Sequence, residues 1–232
     1  MTIWRLAVAA GWVGATLAAY GAGVALHAVA RRHPLVNAVL VAATLLAILL
    51  LRTHTQYADY AAATRPISML LGPATVALAL PLHRSLTTLR TAVWPIVAGL
   101  FAGVASASAS AVVIARALGA SSLTVRSLAP KSVTTPIAMA VSARIGGDAS
   151  LTAVFVIVTG IVGAMVVPGL FRLIRVDDPR ARGLALGVAA HGLGTARAVA
   201  LGTTELAFSV LGMGLSGVLT PIVIPLAASL LA

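Results

Sequence analysis

Eight apolar runs follow one another along this chain, at roughly 5–30, 35–51, 66–83, 91–116, 123–143, 149–172, 181–201 and 205–231. A helix needs about 20 mostly apolar residues to cross the hydrocarbon layer of a membrane. Most of the runs approach or exceed that length. The junctions between them are short and carry arginine or proline, as in "ARRHP", "LHRSLTTLR" and "FRLIRVDDPRAR". No stretch between runs is long enough to be a soluble domain. Only 9% of the 232 residues are charged, where a soluble domain carries roughly a quarter. The sequence therefore describes an all-α, polytopic integral membrane protein, one transmembrane domain over 1–232 with about 7–8 membrane segments.

The formal charge of +11 comes mostly from arginines that flank apolar runs, where cations anchor beside headgroups. No basic stripe interleaved with aromatics exists, so nucleic acid is not an expected partner. The chain has no cysteine, which excludes disulfides and thiolate chemistry. No nucleophile elbow, His-Glu-x-x-His or phosphate loop is present, so an enzyme is not expected, and neither is a bound metal. The N-terminal run follows Arg5 and outlasts a signal-peptide core, which predicts a retained first helix.

Two runs make poor plain helices. "PISMLLGPATVALALPLHR" holds Pro73 and Pro81, and "SLAPKSVTTPIAMAVSARIGG" holds Pro130 and Pro136. An internal proline removes a backbone hydrogen bond and clashes with the preceding turn. In lipid the freed carbonyls must find other partners, so such backbone lines a cavity or lies buried in protein. Each broken run is followed by a similar long run, "TAVWPIVAGLFAG" and "TAVFVIVTGIVGA". This predicts two repeat units, 66–116 and 123–172, beside N-terminal helices over 1–56 and C-terminal helices over 177–232. If the broken runs are re-entrant, the repeats are inverted. Paired broken segments of this kind point to a carrier's binding site.

Three polar groupings carry the candidate site. In "APKSVTTP", a broken helix offers free N–H groups, Lys131 adds charge, and Ser132, Thr134 and Thr135 add hydroxyls, a set suited to an anion. "GPATVALALP" adds Thr75. "AHGLGTARA" places His191 and Thr195 four apart on one helix face. Arg197 points elsewhere unless the helix breaks at Gly192 or Gly194. A cation at mid-membrane needs an acid, carbonyls or a bound anion. The five acids, Asp59, Asp148, Asp177, Asp178 and Glu205, all lie near segment ends, so an anionic ligand is the natural partner, with Glu205 the protein alternative. His191 is suited to carrying a proton. Asp178 with Pro179 reads as a helix start, and Gly99/Gly103 and Gly183/Gly187 read as close helix contacts.

"LGPATVALALPL", "LAPKSVTTPIAMAVSARIGG", "SLTAVFVIVTGIVGA" and "ARGLALGVAAHGLGTARA" resemble the signature blocks of the LrgB/CidB family, in the same order from about Tyr57 to the C-terminus, over about three quarters of the chain. The resemblance implies a multi-pass protein of the bacterial inner (cytoplasmic) membrane. Members are described as antiholin-like or holin-like regulators of murein hydrolase activity and lysis, acting with a small LrgA/CidA-like membrane protein. A plastid relative resembles a glycolate/glycerate translocator, and bacterial relatives are linked to pyruvate uptake. The resemblance thus implies a secondary transporter of small monocarboxylates such as glycolate, glycerate, pyruvate or lactate. Expected partners are the carboxylate, the bilayer, an LrgA/CidA-like subunit and further copies of the chain. No cofactor is expected beyond a coupling proton or sodium ion. Many relatives carry acids after "PIAM", where this chain has Ala140 to Arg144, which bears on any cation coupling. The alternatives are an oligomeric holin-like pore or antiholin, and a non-transporting regulator.

Overall fold

The computed structural model describes residues 3–30, 36–70 and 86–227, with Pro73, Val76, Ala77, Leu80 and His83. It is helical, without a strand among the described residues. The chain forms two compact units, residues 1–77 and 78–232.

In the first unit, α1 (Ile3–Val29) packs against α2 (Ala38–Arg52). Asn37 starts α2 by accepting from the Val39 and Leu40 N–H groups at 2.9 and 3.2 Å. The chain then bends by 119° into α3 (Tyr57–Ala63), and α4 (Arg65–Met69) follows. Trp12 meets Tyr60 edge to face, and Thr16 bonds the Tyr60 hydroxyl.

The second unit begins with α5 (Leu86–Thr91) and α6 (Val93–Ala117). Two short helices follow, α7 (Ser122–Leu128) and α8 (Thr135–Arg144), then α9 (Ala149–Leu173), α10 (Pro179–Ala198) and α11 (Thr203–Leu226). Four helices, Ala7–Val29 within α1, α6, α9 and α11, are long and apolar enough to cross a membrane, and the bent α2–α3 pair makes up to five. The surface is inverted relative to a soluble protein. Val154, Ile157, Val158, Val162 and Val166 of α9 are exposed, whereas Ser127, Ser142, Thr152, His191, Thr195, Ser209, Ser216 and Thr220 are buried. Hydrocarbon satisfies the outer face, so polar groups gather inside.

The segments short of a span are hairpins. In the first, α7 runs inward, residues 129–134 turn, and α8 returns. The last turn of α7 is clasped to the start of α9: the Asp148 N–H donates to Ser127 Oγ at 2.8 Å, and Thr152 Oγ1 lies 3.0 Å from the Ser127 carbonyl. A Cβ on Gly147 would strike Ser127 N at 2.9 Å, so only glycine fits where the arms meet.

The second hairpin is α10. Its backbone is not helical at His191, with φ 41° and ψ −127°. Beyond His191 the chain doubles back. Gly194 lies directly on the Leu186 carbonyl, and Ala198 packs with Leu186 and Phe171, beside the outer end of α9. Asp178 caps the incoming arm through the Arg180 N–H at 2.8 Å, with Pro179 in the first turn, as the sequence predicts. The chain is thus back at its starting end when α11 begins. α11 then runs parallel to the incoming arm, with Gly183 against the Glu205 carbonyl and Gly187 against the Ser209 carbonyl.

Among the described residues, a hairpin followed by a span therefore occurs twice, at 122–173 and 179–226. The two hairpins enter from opposite ends of the bundle. Buried positions correspond at a constant separation of 57: Ala129 with Leu186, Val133 with Ala190, Ala138 with Thr195, Val141 with Ala198, and Thr152 with Ser209. The expected repeat unit at 66–116 includes Thr75 and Pro81, which lie outside the described residues; Pro73 is helical and exposed.

Candidate functional site

The two hairpin tips meet on one residue of α9. The Val156 side chain packs against Val133 and Ala138 of the first hairpin. The Val156 carbonyl accepts from His191 Nε2 of the second at 3.0 Å. Val156 is seven residues into α9, about 10 Å from its start. Two backbone breaks thus stand side by side inside the bundle, where each leaves N–H and C=O groups outside the helical ladder.

At the first tip, Pro130 and Val133 are buried, and Lys131, Ser132, Thr134 and Thr135 are half-buried. Lys131 Nζ donates to Ser132 Oγ at 3.4 Å. Thr134 is the N-cap of α8 without a side-chain cap bond, and Pro136 sits in the first turn. The orphan N–H groups of α8 therefore open at the tip, next to the Lys131 charge. That combination suits an anion.

At the second tip, His191 is buried. A carbonyl can only accept, so Nε2 carries the proton toward Val156, and no hydrogen bond engages Nδ1 among the described residues. Gly160 fits under the ring, since a Cβ there would lie 2.6 Å from His191 Cε1. Thr195 Oγ1 donates to the His191 carbonyl at 2.9 Å and pairs with Ser209 Oγ of α11 at 3.0 Å. The break falls at His191, not at Gly192 or Gly194. Gly192 has open space around it, whereas Gly194 lets the two arms touch.

Arg197 is not brought to His191 and Thr195. It is exposed on the returning arm, one residue before Ala198, at the level of Phe171. The premise of a mid-membrane cation is corrected: the hairpin carries Arg197 back to the bundle's end, where a cation meets headgroups and water. No ion pair joins it to Glu205, which is buried in the first turn of α11. The ion pairs at this end are Arg180 with Asp178 at 2.8 Å and Arg182 with Asp177 at 2.9 Å. The Arg180 guanidinium, bonded across both oxygens, holds the Asp178 carboxyl below its usual range.

Sequence reasoning missed Val156, Gly160, Ser209 and Ser216. Each lies inside an uninterrupted apolar run, and only the "TG" and "SG" pairs at 159–160 and 216–217 hinted at a tight approach.

Residues 16–230 match the family model described as the LrgB-like family. The chain is 35% identical to the uncharacterized protein YxaC of Bacillus subtilis (strain 168), over 88% of each chain. It is 38% identical to the uncharacterized protein YwbG of the same strain, over 78% of this chain and 80% of that one. It is 31% identical to the antiholin-like protein LrgB of Bacillus mycoides (strain KBAB4), over 91% of this chain and 92% of that one. No solved structure matches.

Proposed function

The chain belongs to the LrgB-like family, and on that premise we propose that it is a secondary carrier of small monocarboxylates in the bacterial inner membrane. One observation carries the reading: two re-entrant tips enter from opposite ends and meet on Val156. Broken helices facing each other near the middle of a bundle suit a substrate that must be reached from either side in turn. A plain pore needs no such costly backbone. Lys131 and the α8 N-terminus take the carboxylate, and Ser132, Thr134 and Thr135 surround it. His191 binds a coupling proton at Nδ1, with Thr195 holding the turn. Arg197, at the bundle's end, draws anions toward the opening rather than seating them.

The test is flux of radiolabelled glycolate or pyruvate into liposomes holding the purified chain. Uptake that responds to a proton gradient and falls at least tenfold in Lys131→Ala is expected. Absence of carboxylate flux from well-inserted protein sinks the proposal. The second reading is an antiholin-like role in controlling murein hydrolases, with an LrgA/CidA-like subunit or as an assembly of like chains. It is favoured by the name of the Bacillus mycoides relative. It predicts leakage of a small dye from the same liposomes, insensitive to Lys131→Ala.

A further inference from the structure

Ser216 is 2% exposed, and its hydroxyl is the buried side-chain polar atom left without a hydrogen-bond partner among the described residues. Serine in a helix ordinarily bonds a carbonyl one turn back. Ser127, Thr152 and Thr195 in the same bundle do so. A buried hydroxyl with no partner is rare and calls for a reason.

Its place is set by its neighbours on α11. Seven residues earlier on the same face, Ser209 pairs with Thr195 of the returning arm. Ser216 lies about 10 Å further along that face, two turns on. The returning arm runs the other way, so His191 stands about 6 Å beyond Thr195 in the same direction. Ser216 is thus just past the second tip. The next residue, Gly217, lies against Ile137 in the first turn of α8, with Ile137 Cδ1 3.2 Å from where a Cβ would stand. Ser216 is therefore between the two tips, beside the junction at Val156. Its counterpart 57 residues back is Thr159, next to Gly160, which lies under the other tip. Among the described residues, no hydrogen bond engages the Thr159 hydroxyl either.

We infer that Ser216 is a specificity residue of the carrier site, its hydroxyl reading the second oxygen of a 2-hydroxy or 2-oxo monocarboxylate. This rests on the carrier reading above. The division of labour follows from charge. The carboxylate takes the cation and the N–H groups at the first tip, because charge-assisted bonds are the stronger ones. A neutral oxygen on the adjacent carbon is left for a neutral partner, and a hydroxyl can donate to either a keto or a hydroxyl oxygen. The bound oxygen supplies the bond that Ser216 lacks. A site built to bond an oxygen discriminates against the analogue without it, because its own polar group then stays unpaired.

Glycolate and acetate differ by that oxygen alone. Their affinities for the purified full chain are measured by calorimetry in wild type, Ser216→Ala and Ser209→Ala. Wild type is expected to bind glycolate at least tenfold more tightly than acetate. In Ser216→Ala, glycolate affinity falls about three- to tenfold, acetate affinity stays within twofold, and the melting temperature without ligand does not fall. Ser209→Ala, which breaks a structural bond, lowers the melting temperature and leaves the glycolate preference unchanged. A Ser216→Ala protein that keeps the full preference overturns the inference and leaves the carrier reading standing. A wild type that binds neither acid overturns both.

Discussion

The backbone at His191 offers a direct test of the hairpin. Its φ of 41° and ψ of −127° lie near the first central position of a type II′ turn, the mirror of type II, where glycine dominates. A residue with a Cβ held there costs about 1–3 kcal/mol, and the surroundings must enforce it. Consider His191→Gly and His191→Ala. Both lose the ring, its bond to the Val156 carbonyl and its contact with Gly160, so those losses cancel in the comparison. What differs is the backbone. In a straight helix, glycine would be less stable than alanine by about 1 kcal/mol. At the tip of a hairpin the order reverses, and His191→Gly is more stable than His191→Ala by about 1–3 kcal/mol. Unfolding of both variants in mixed micelles, by titration with SDS and followed by circular dichroism, measures the difference. If His191→Ala is the more stable by about 1 kcal/mol, α10 is one continuous helix, and both the hairpin and the meeting of the tips are wrong.

Other outcomes follow from the same geometry. Gly187→Ala and Gly194→Ala drive a Cβ into the Ser209 and Leu186 carbonyls and should each destabilise by about 1–3 kcal/mol. Gly192→Ala, with open space around it, should lie within about 0.5 kcal/mol of wild type in the same unfolding assay. Thr152→Val removes the one hydroxyl among the described residues that lies within hydrogen-bond distance of the Ser127 carbonyl and the Ser142 hydroxyl, both buried, so the clasp of the first hairpin should weaken by about 1–3 kcal/mol. The chain has no cysteine, so single cysteines report sidedness cleanly. Leu118→Cys and Ser150→Cys should label from one face of the membrane, and Leu173→Cys and Val199→Cys from the other. Opposite labelling within either pair would make that hairpin a span.

The sequence made the helices legible and hid the way they turn. Apolar runs and flanking arginines located α1, α6, α9 and α11 to within a few residues, because the bilayer imposes a length that composition must meet. Pro130 and Pro136 announced the first hairpin, since proline removes a bond that lipid cannot replace. The second hairpin carries no proline at its tip, and the sequence offers Gly192 and Gly194 as its breaks, one and three residues past the observed one. Its reversal is held at a histidine, with glycine at 194 only for the closeness of the arms. Arg197 was misread for the same reason. On a straight helix it lies deep in the bilayer and demands a counter-charge. On a hairpin the same residue returns to the end it came from. Val156 was invisible because its contribution is a carbonyl and a packed methyl pair, which any valine in an apolar run has.

The two repeats share a path and almost no chemistry at their tips. None of the residues at 129–135 is identical to its counterpart at 186–192. That is the pattern expected when a backbone arrangement is preserved while each tip is given a different task. The path is fixed from outside the tips, by burial at equivalent positions on both hairpins and by the hydroxyls of Thr152 and Ser209 that tie each hairpin to its own span. The tips are then free to differ. The first holds the fixed charge, the hydroxyls and the open start of α8. The second holds a ring nitrogen in a strained turn, bonded to the wall that both tips share. Under the carrier proposal, an anion seated at the first tip lies close to the group that takes up a proton at the second. Each then favours the other electrostatically, because an imidazolium and a carboxylate in a low-dielectric junction attract far more strongly than in water. Coupling would arise from the meeting of unlike tips, which a symmetric pair with two lysines or two histidines would lose.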